Sequence, residues 1–218
     1  MSMLHYAPPT SPYLDILYQD NALVVFNKPS GLLTVPGKAA EHKDSLEYRA
    51  RLVWPGIRVV HRLDMATSGI VVMALTADAQ RSLNRQFQLR HTEKHYIARV
   101  SGRVLADYGT VDLPLICDWP NRPKQHVCYL HGKPSLTHYQ VLSRSDNESR
   151  LKLMPVTGRS HQLRVHLQWL GHPILGDKFY ADSKTVAAAA RLQLHAEQLC
   201  FLHPEHSTAC CFIAPCPF

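Results

Sequence analysis

Three groups of residues in this 218-residue chain have the types and spacing for chemistry. The first is His61-Arg62-Leu63-Asp64-Met65-Ala66-Thr67-Ser68-Gly69, a polar stretch set between the apolar runs Arg58-Val59-Val60 and Ile70-Val71-Val72-Met73-Ala74-Leu75. Both flanks are rich in β-branched residues and too short for helices, so the spacing predicts two strands joined by a turn, with Asp64 as a carboxylate at a strand end beside an arginine. Asp, Thr, Ser and Gly are also ordinary turn residues, and these nine positions alone favour a structural turn over a catalytic one. The second group is Thr157-Gly158-Arg159-Ser160-His161-Gln162-Leu163-Arg164-Val165-His166-Leu167, where Ser160 is expected to cap a helix buried along Leu163, Leu167 and Leu170. Arg159 and the N–H groups of that helix start would form an anion cradle. The third is the alternating strand His95-Tyr96-Ile97-Ala98-Arg99-Val100, in which a core role for Tyr96 is the simpler reading.

The elements that must position these groups can be read along the chain. Residues 1–12 form an irregular, proline-bearing lead-in. Ala22-Leu23-Val24-Val25-Phe26 is a strand, and Asn27-Lys28-Pro29-Ser30-Gly31 is a turn that presents Lys28 at the strand end. A helix is predicted from Asp44, with Leu46, Ala50 and Val53 on one face, and another after Thr76, with Ala79, Leu83 and Phe87 buried and Arg81, Arg85 and Arg90 outside. Residues 113–134 are expected to be a long irregular segment centred on Asp118-Trp119-Pro120-Asn121-Arg122-Pro123-Lys124. There Trp119 either anchors a surface loop by burial or stacks on bases while Arg122 and Lys124 neutralise phosphates. His138–Leu142 and Arg150–Met154 form a hairpin.

Composition narrows the classes of function. Lys and Arg number 24 against 17 Asp and Glu, a formal net charge of +7 that points to a polyanionic partner. Apolar runs of about seven residues are far below the roughly twenty needed to cross a bilayer. The first twenty residues lack the apolar core of a signal peptide, so a cytoplasmic protein with reduced thiols is expected. The six cysteines lack zinc-ligand spacing, and the fourteen histidines are scattered without a metal motif.

With these pieces placed, the sequence resembles the RluA family of pseudouridine synthases. Asn27-Lys28-Pro29-Ser30-Gly31, His61-Arg62-Leu63-Asp64, Lys94-His95-Tyr96-Ile97-Ala98, Gly158–His166 and Gly171-His172-Pro173-Ile174-Leu175-Gly176-Asp177 match the family's motifs in order. The resemblance implies an α+β (mixed α/β) pseudouridine synthase fold, with a long, mostly antiparallel sheet, flanking helices and a basic cleft. It also implies one catalytic domain over residues 1–218, with no room for an N-terminal S4 domain. The short N-terminus and the 116–124 loop are nearest to members acting on both large-subunit ribosomal RNA and tRNA stem-loops. The implied reaction is isomerisation of uridine, without metal, nucleotide or organic cofactor, by a monomer.

The resemblance also assigns residues. Asp64 is the catalytic carboxylate, and Arg164 pairs with it and holds its geometry and charge. Tyr96 lies against the flipped uracil, Arg62 fills the space the base leaves, and Leu163 forms the apolar wall. Lys28, Arg159, His61 and the basic helix are expected on the substrate RNA. The rival from another class is a noncatalytic RNA-binding or ribosome-assembly protein on the same fold. Asp64, Arg164 and Tyr96 weigh against it, because a pure binder has no need of a carboxylate in a phosphate cleft.

Overall fold

The structure, a computed structural model, describes residues 6–218. In chain order the elements are β1 (Ile16–Gln19), β2 (Leu23–Lys28), α1 (Leu46–Val53), β3 (Arg58–Val59), β4 (Ser68–Ala74), α2 (Ala77–Leu89), β5 (Glu93–Ser101), β6 (Tyr108–Asp112) and β7 (Leu115–Cys117). There follow β8 (Gln125–Val127), β9 (Leu136–Arg144), β10 (Glu148–Pro155), α3 (Gln162–Trp169), α4 (Ser183–Ala187), β11 (Leu194–Leu202) and β12 (Ala209–Ile213). This is a mixed α+β fold with mostly antiparallel sheet. The chain divides into two compact units, one ending at Glu93 and completed by Ala196–Cys216, the other Lys94–His195 with Pro217–Phe218.

In the first unit β2 lies between β1 and β4, and both of its faces are packed, so Leu23 to Phe26 have no exposed surface. The continuous apolar run anticipated this, since a strand covered on both faces has no need of alternation. β4 is likewise buried throughout. Its Ile70, Val72 and Ala74 pack with Leu23, Val25, Ala79, Leu83, Leu199 and Phe201 in one core. The spacing of Ala79, Leu83 and Phe87 sets α2 on this core, and Thr76 caps it by accepting from the Ala79 N–H at 3.1 Å. On the outer side of α2, Arg81 is paired with Asp78. In α1, Ser45 is the cap and Leu46 and Ala50 are buried as predicted, but Val53 is exposed and Arg49 is buried instead. Arg49 makes two bonds to the Asp44 carboxylate and donates to the carbonyls of Pro9 and Tyr13, so its charge and donors are compensated in the interior.

β12 folds back on β11 in a register that sets Cys200 opposite Cys211, and the two are joined in a disulfide. The expectation of reduced thiols throughout is therefore corrected. The pair is 11 residues apart and meets only because the hairpin returns in this register.

In the second unit the order is β5-β10-β9-β6, with β9 and β10 forming the predicted hairpin at greater length. Residues 113–134 are not wholly irregular. β7 and β8 pair, a short 3₁₀ turn at Trp119–Asn121 links them, and Leu115 and Val127 pack with Val165, Phe179 and Tyr180. The hairpin was hidden because its strands are three residues each and proline-flanked. Among the described residues no helix is long and apolar enough to cross a membrane.

Candidate active site

The turn that carries Asp64 is held by its backbone. Thr34 Oγ1 donates to the Leu63 carbonyl at 2.7 Å and accepts from the Leu63 N–H at 3.1 Å. On the other side of Asp64 the Gly31 N–H donates to the Met65 carbonyl at 2.8 Å, and the Ser30 hydroxyl donates to the Ala66 carbonyl at 2.7 Å. The Thr67 N–H closes the turn on the Asp64 carbonyl at 3.1 Å. Residues 28–34 thus form a strap across the turn. Gly69 completes it with φ +113°, and a Cβ there would come within 2.2 Å of the Ala196 carbonyl, so only glycine fits. Asp64 itself is half-buried and Arg62 exposed.

Lys28 departs from the sequence reading. It is the last residue of β2, has no exposed surface, and its ammonium donates to the carbonyls of Pro29 and Leu32 at 2.8 Å and of Met65 at 3.2 Å. Those carbonyls compensate the buried charge, so Lys28 ties the strap to the turn instead of meeting a phosphate. His61 is also engaged internally. Its Nε2 accepts from the Val72 N–H at 3.1 Å, which places the proton of a neutral ring on Nδ1, and the ring stacks on Phe87 at 4.7 Å. It pins the start of the turn to β4, and the ring is half-buried.

In the second unit Tyr96 stands in β5 opposite Leu153. His95 and Ile97 on either side of it are buried, whereas Tyr96 is only half-buried, so it is not a core tyrosine. Arg164, on α3, makes a two-pronged ion pair with Asp177, Nε to Oδ2 at 2.8 Å and Nη2 to Oδ1 at 2.6 Å. Both side chains are buried, and the guanidinium lies 5.1 Å from the ring centres of Phe179 and Tyr180. Asp177 Oδ1 also accepts from the N–H groups of Phe179 and Tyr180. A guanidinium carries five N–H donors, so the ion pair with Asp177 does not by itself account for all its capacity. The sequence reading placed Asp177 in a motif and assigned it no role; its signal was a lone carboxylate in a Gly-Asp turn.

The start of α3 is built differently from the expectation. His161, at φ 54°, is the capping residue, and Ser160 is not. No side chain caps the helix, and the Gln162 side chain instead ties the segment before it together. Its Oε1 accepts from the Arg159 N–H at 3.0 Å and from the Thr157 hydroxyl at 2.7 Å, and its Nε2 donates to Leu136 O and Thr137 Oγ1. The Arg159 N–H, which lies ahead of the helix, is therefore used within the protein. The Arg159 side chain is exposed and donates to the Pro134 carbonyl at 3.3 Å, while Leu163 is buried. Tyr180, which the sequence reading missed, receives the Gln125 N–H at 2.8 Å and is hydrogen-bonded to His161 Nδ1 at 2.6 Å. It thereby links the β7–β8 hairpin to the start of α3. Trp119 is 65% exposed beneath the Arg122 guanidinium at 4.7 Å, which removes the reading of a buried anchor. Among the described residues no three His, Cys, Asp or Glu are grouped to hold a metal ion.

The profile of the RNA pseudouridylate synthase family matches residues 22–169, and the chain belongs to that family of isomerases. It is 56% identical to the dual-specificity RNA pseudouridine synthase RluA of Escherichia coli strain K12, over the whole of both chains. The RluA of Yersinia pestis is 61% identical over 88% of this chain and 94% of that one. Among solved structures, human RNA pseudouridylate synthase domain containing 1 superposes with a TM-score of 0.79 at 30% identity, covering 97% of this chain and 87% of its own.

Proposed function

We propose that residues 1–218 act as one catalytic domain that isomerises uridines in stem-loops of both large-subunit ribosomal RNA and tRNA. End-to-end similarity to relatives named for dual specificity carries the two-substrate reading. The enzyme works as a monomer in the cytoplasm. The N1–C1′ bond of uridine breaks, the freed uracil turns, and C5 bonds to C1′; the proton lost from C5 is matched by one gained at N1. Substrate and product are isomers of the same oxidation state, so no net oxidant or reductant is called for.

Asp64 supplies the ionised carboxylate for that exchange, and the clamp on its turn supports this role, because a catalytic group must be held before substrate arrives. Arg164 is the second charged group assigned to the reaction, and Asp177 fixes its guanidinium. A uridine in a stacked stem must leave its helix at a cost of a few kcal/mol. Tyr96 stacks on the flipped base, which offsets about 1–3 kcal/mol of that cost. Arg62 occupies the vacated space, Leu163 forms the apolar wall, and Arg159 contacts phosphate. Incubation of the purified protein with one stem-loop of each RNA class, followed by pseudouridine mapping, tests the reading. Pseudouridine is expected in both, and modification of one class alone would remove the dual specificity.

A further inference from the structure

The strap of residues 28–34 touches the Asp64 turn at several points, but only one side chain serves both backbone groups of a single residue. We infer that Thr34 is the positioning residue for Asp64, acting through the peptide groups of Leu63; the inference rests on Asp64 being the catalytic carboxylate. Leu63 precedes Asp64 directly and lies outside the strands, so no ladder holds its N–H and C=O. The Thr34 hydroxyl bonds both, at 3.1 and 2.7 Å, and a hydroxyl can do this because it donates and accepts at one atom. Ser30 and Gly31 hold the far side of Asp64, at Ala66 and Met65, and leave the orientation of the Leu63 peptides to Thr34.

Thr34 is itself firmly mounted. It is 2% exposed, and the first N–H groups of α1 are spent on the strap, Leu46 N–H to Leu33 O at 2.8 Å and Glu47 N–H to Thr34 O at 3.0 Å. The Leu33 N–H is held in turn by the Tyr6 hydroxyl at 3.0 Å, which donates to Asp44 O at 2.8 Å. The position of the carboxylate is therefore inherited from the start of α1, through one hydroxyl. Removal of that hydroxyl leaves the Leu63 N–H and C=O without these bonds in the interior. They then recover partners by peptide rotation, which redirects Asp64.

The test compares Thr34→Val, of nearly the same shape, with Thr34→Ser, which keeps the hydroxyl, and Thr34→Cys, which weakens both bonds. Turnover and KM are measured on an RNA stem-loop, beside thermal melts. Thr34→Val is expected to lose about 10–100-fold in kcat, the scale of an ångström-sized misplacement, with KM within about threefold. Thr34→Ser should stay within about threefold of the parent and Thr34→Cys fall between. A folded Thr34→Val with full kcat, a loss confined to KM, or a serine variant as poor as valine overturns the inference. Should Thr34→Val fail to fold, the cysteine variant decides by the same split, and unchanged kcat overturns it. Asp64→Asn is the control. If it retains activity, the catalytic reading itself falls; if it is inactive while Thr34→Val turns over normally, only the positioning role is lost.

Discussion

The turn that carries Asp64 and the helix that carries Arg164 are stabilised by opposite means. Around Asp64 the structure grips the main chain, with Thr34, Ser30, Gly31 and Lys28 all bonding to peptide groups of the turn. Around Arg164 it grips the side chain, by a buried carboxylate and two aromatic rings. A short carboxylate is placed well once its backbone is placed, because few rotatable bonds follow the Cα. A long guanidinium is not, and needs a partner at its far end. The first design spreads the work over several separate hydrogen bonds to peptide groups, and the second concentrates it in one ion pair.

That contrast can be broken or sharpened by substitution. The largest effect is expected at the supported group itself. Asp64→Asn should lower turnover by about 10³-fold or more while RNA affinity, measured by filter binding, changes little. Next comes the concentrated design. Asp177→Ala leaves the Arg164 charge buried without this partner and should cost about 3–5 kcal/mol in urea unfolding, more than any single substitution in the strap. A cost comparable to that of Ser30→Ala, which removes one neutral bond worth about 1 kcal/mol, would erase the distinction. Tyr96→Ala should lose about 1–3 kcal/mol of stacking, roughly a five- to 150-fold fall in kcat/KM, and Tyr96→Phe should lose much less.

The smallest effect concerns pH. Burial holds His166 below its ordinary value of 6.5, opposed by the Leu113 carbonyl and the Asp112 charge. Because the unfolded chain then takes up the proton first, stability should fall as pH drops below 6.5 and be fully present above it. Replacement by glutamine should flatten that part of a plot of urea midpoint against pH.

Much of the scaffold was legible along the chain. β2 and β4 announce themselves as continuous apolar runs, and α2 and the β9–β10 hairpin through periodicity, with Thr76 at the cap of α2; these are local properties. The order of motifs likewise marked Asp64, Tyr96 and Arg164. Lys28 was misjudged because a lysine beside Pro29 looks solvated until three carbonyls from residues 29, 32 and 65 are known to converge on it. Ser160 lost the cap position of α3 to His161, while the Gln162 side chain is aimed by Thr157, Leu136 and Thr137, partners that helix rules do not include. The β7–β8 hairpin was too short to rise above its prolines.

By itself, then, the amino-acid sequence determined the family and the strands on either side of His61–Gly69, and it singled out Asp64 as the candidate carboxylate. Those follow from residue types and from burial patterns that repeat every two or three to four positions. Only the tertiary structure decided what holds that carboxylate and its arginine. Thr34 meets Leu63 across 29 positions and Arg164 meets Asp177 across 13. A pattern of apolar residues states which side of an element is buried. Which hydroxyl, ammonium or carboxylate finds which partner depends on where distant segments cross, and that is settled only when the whole chain has packed.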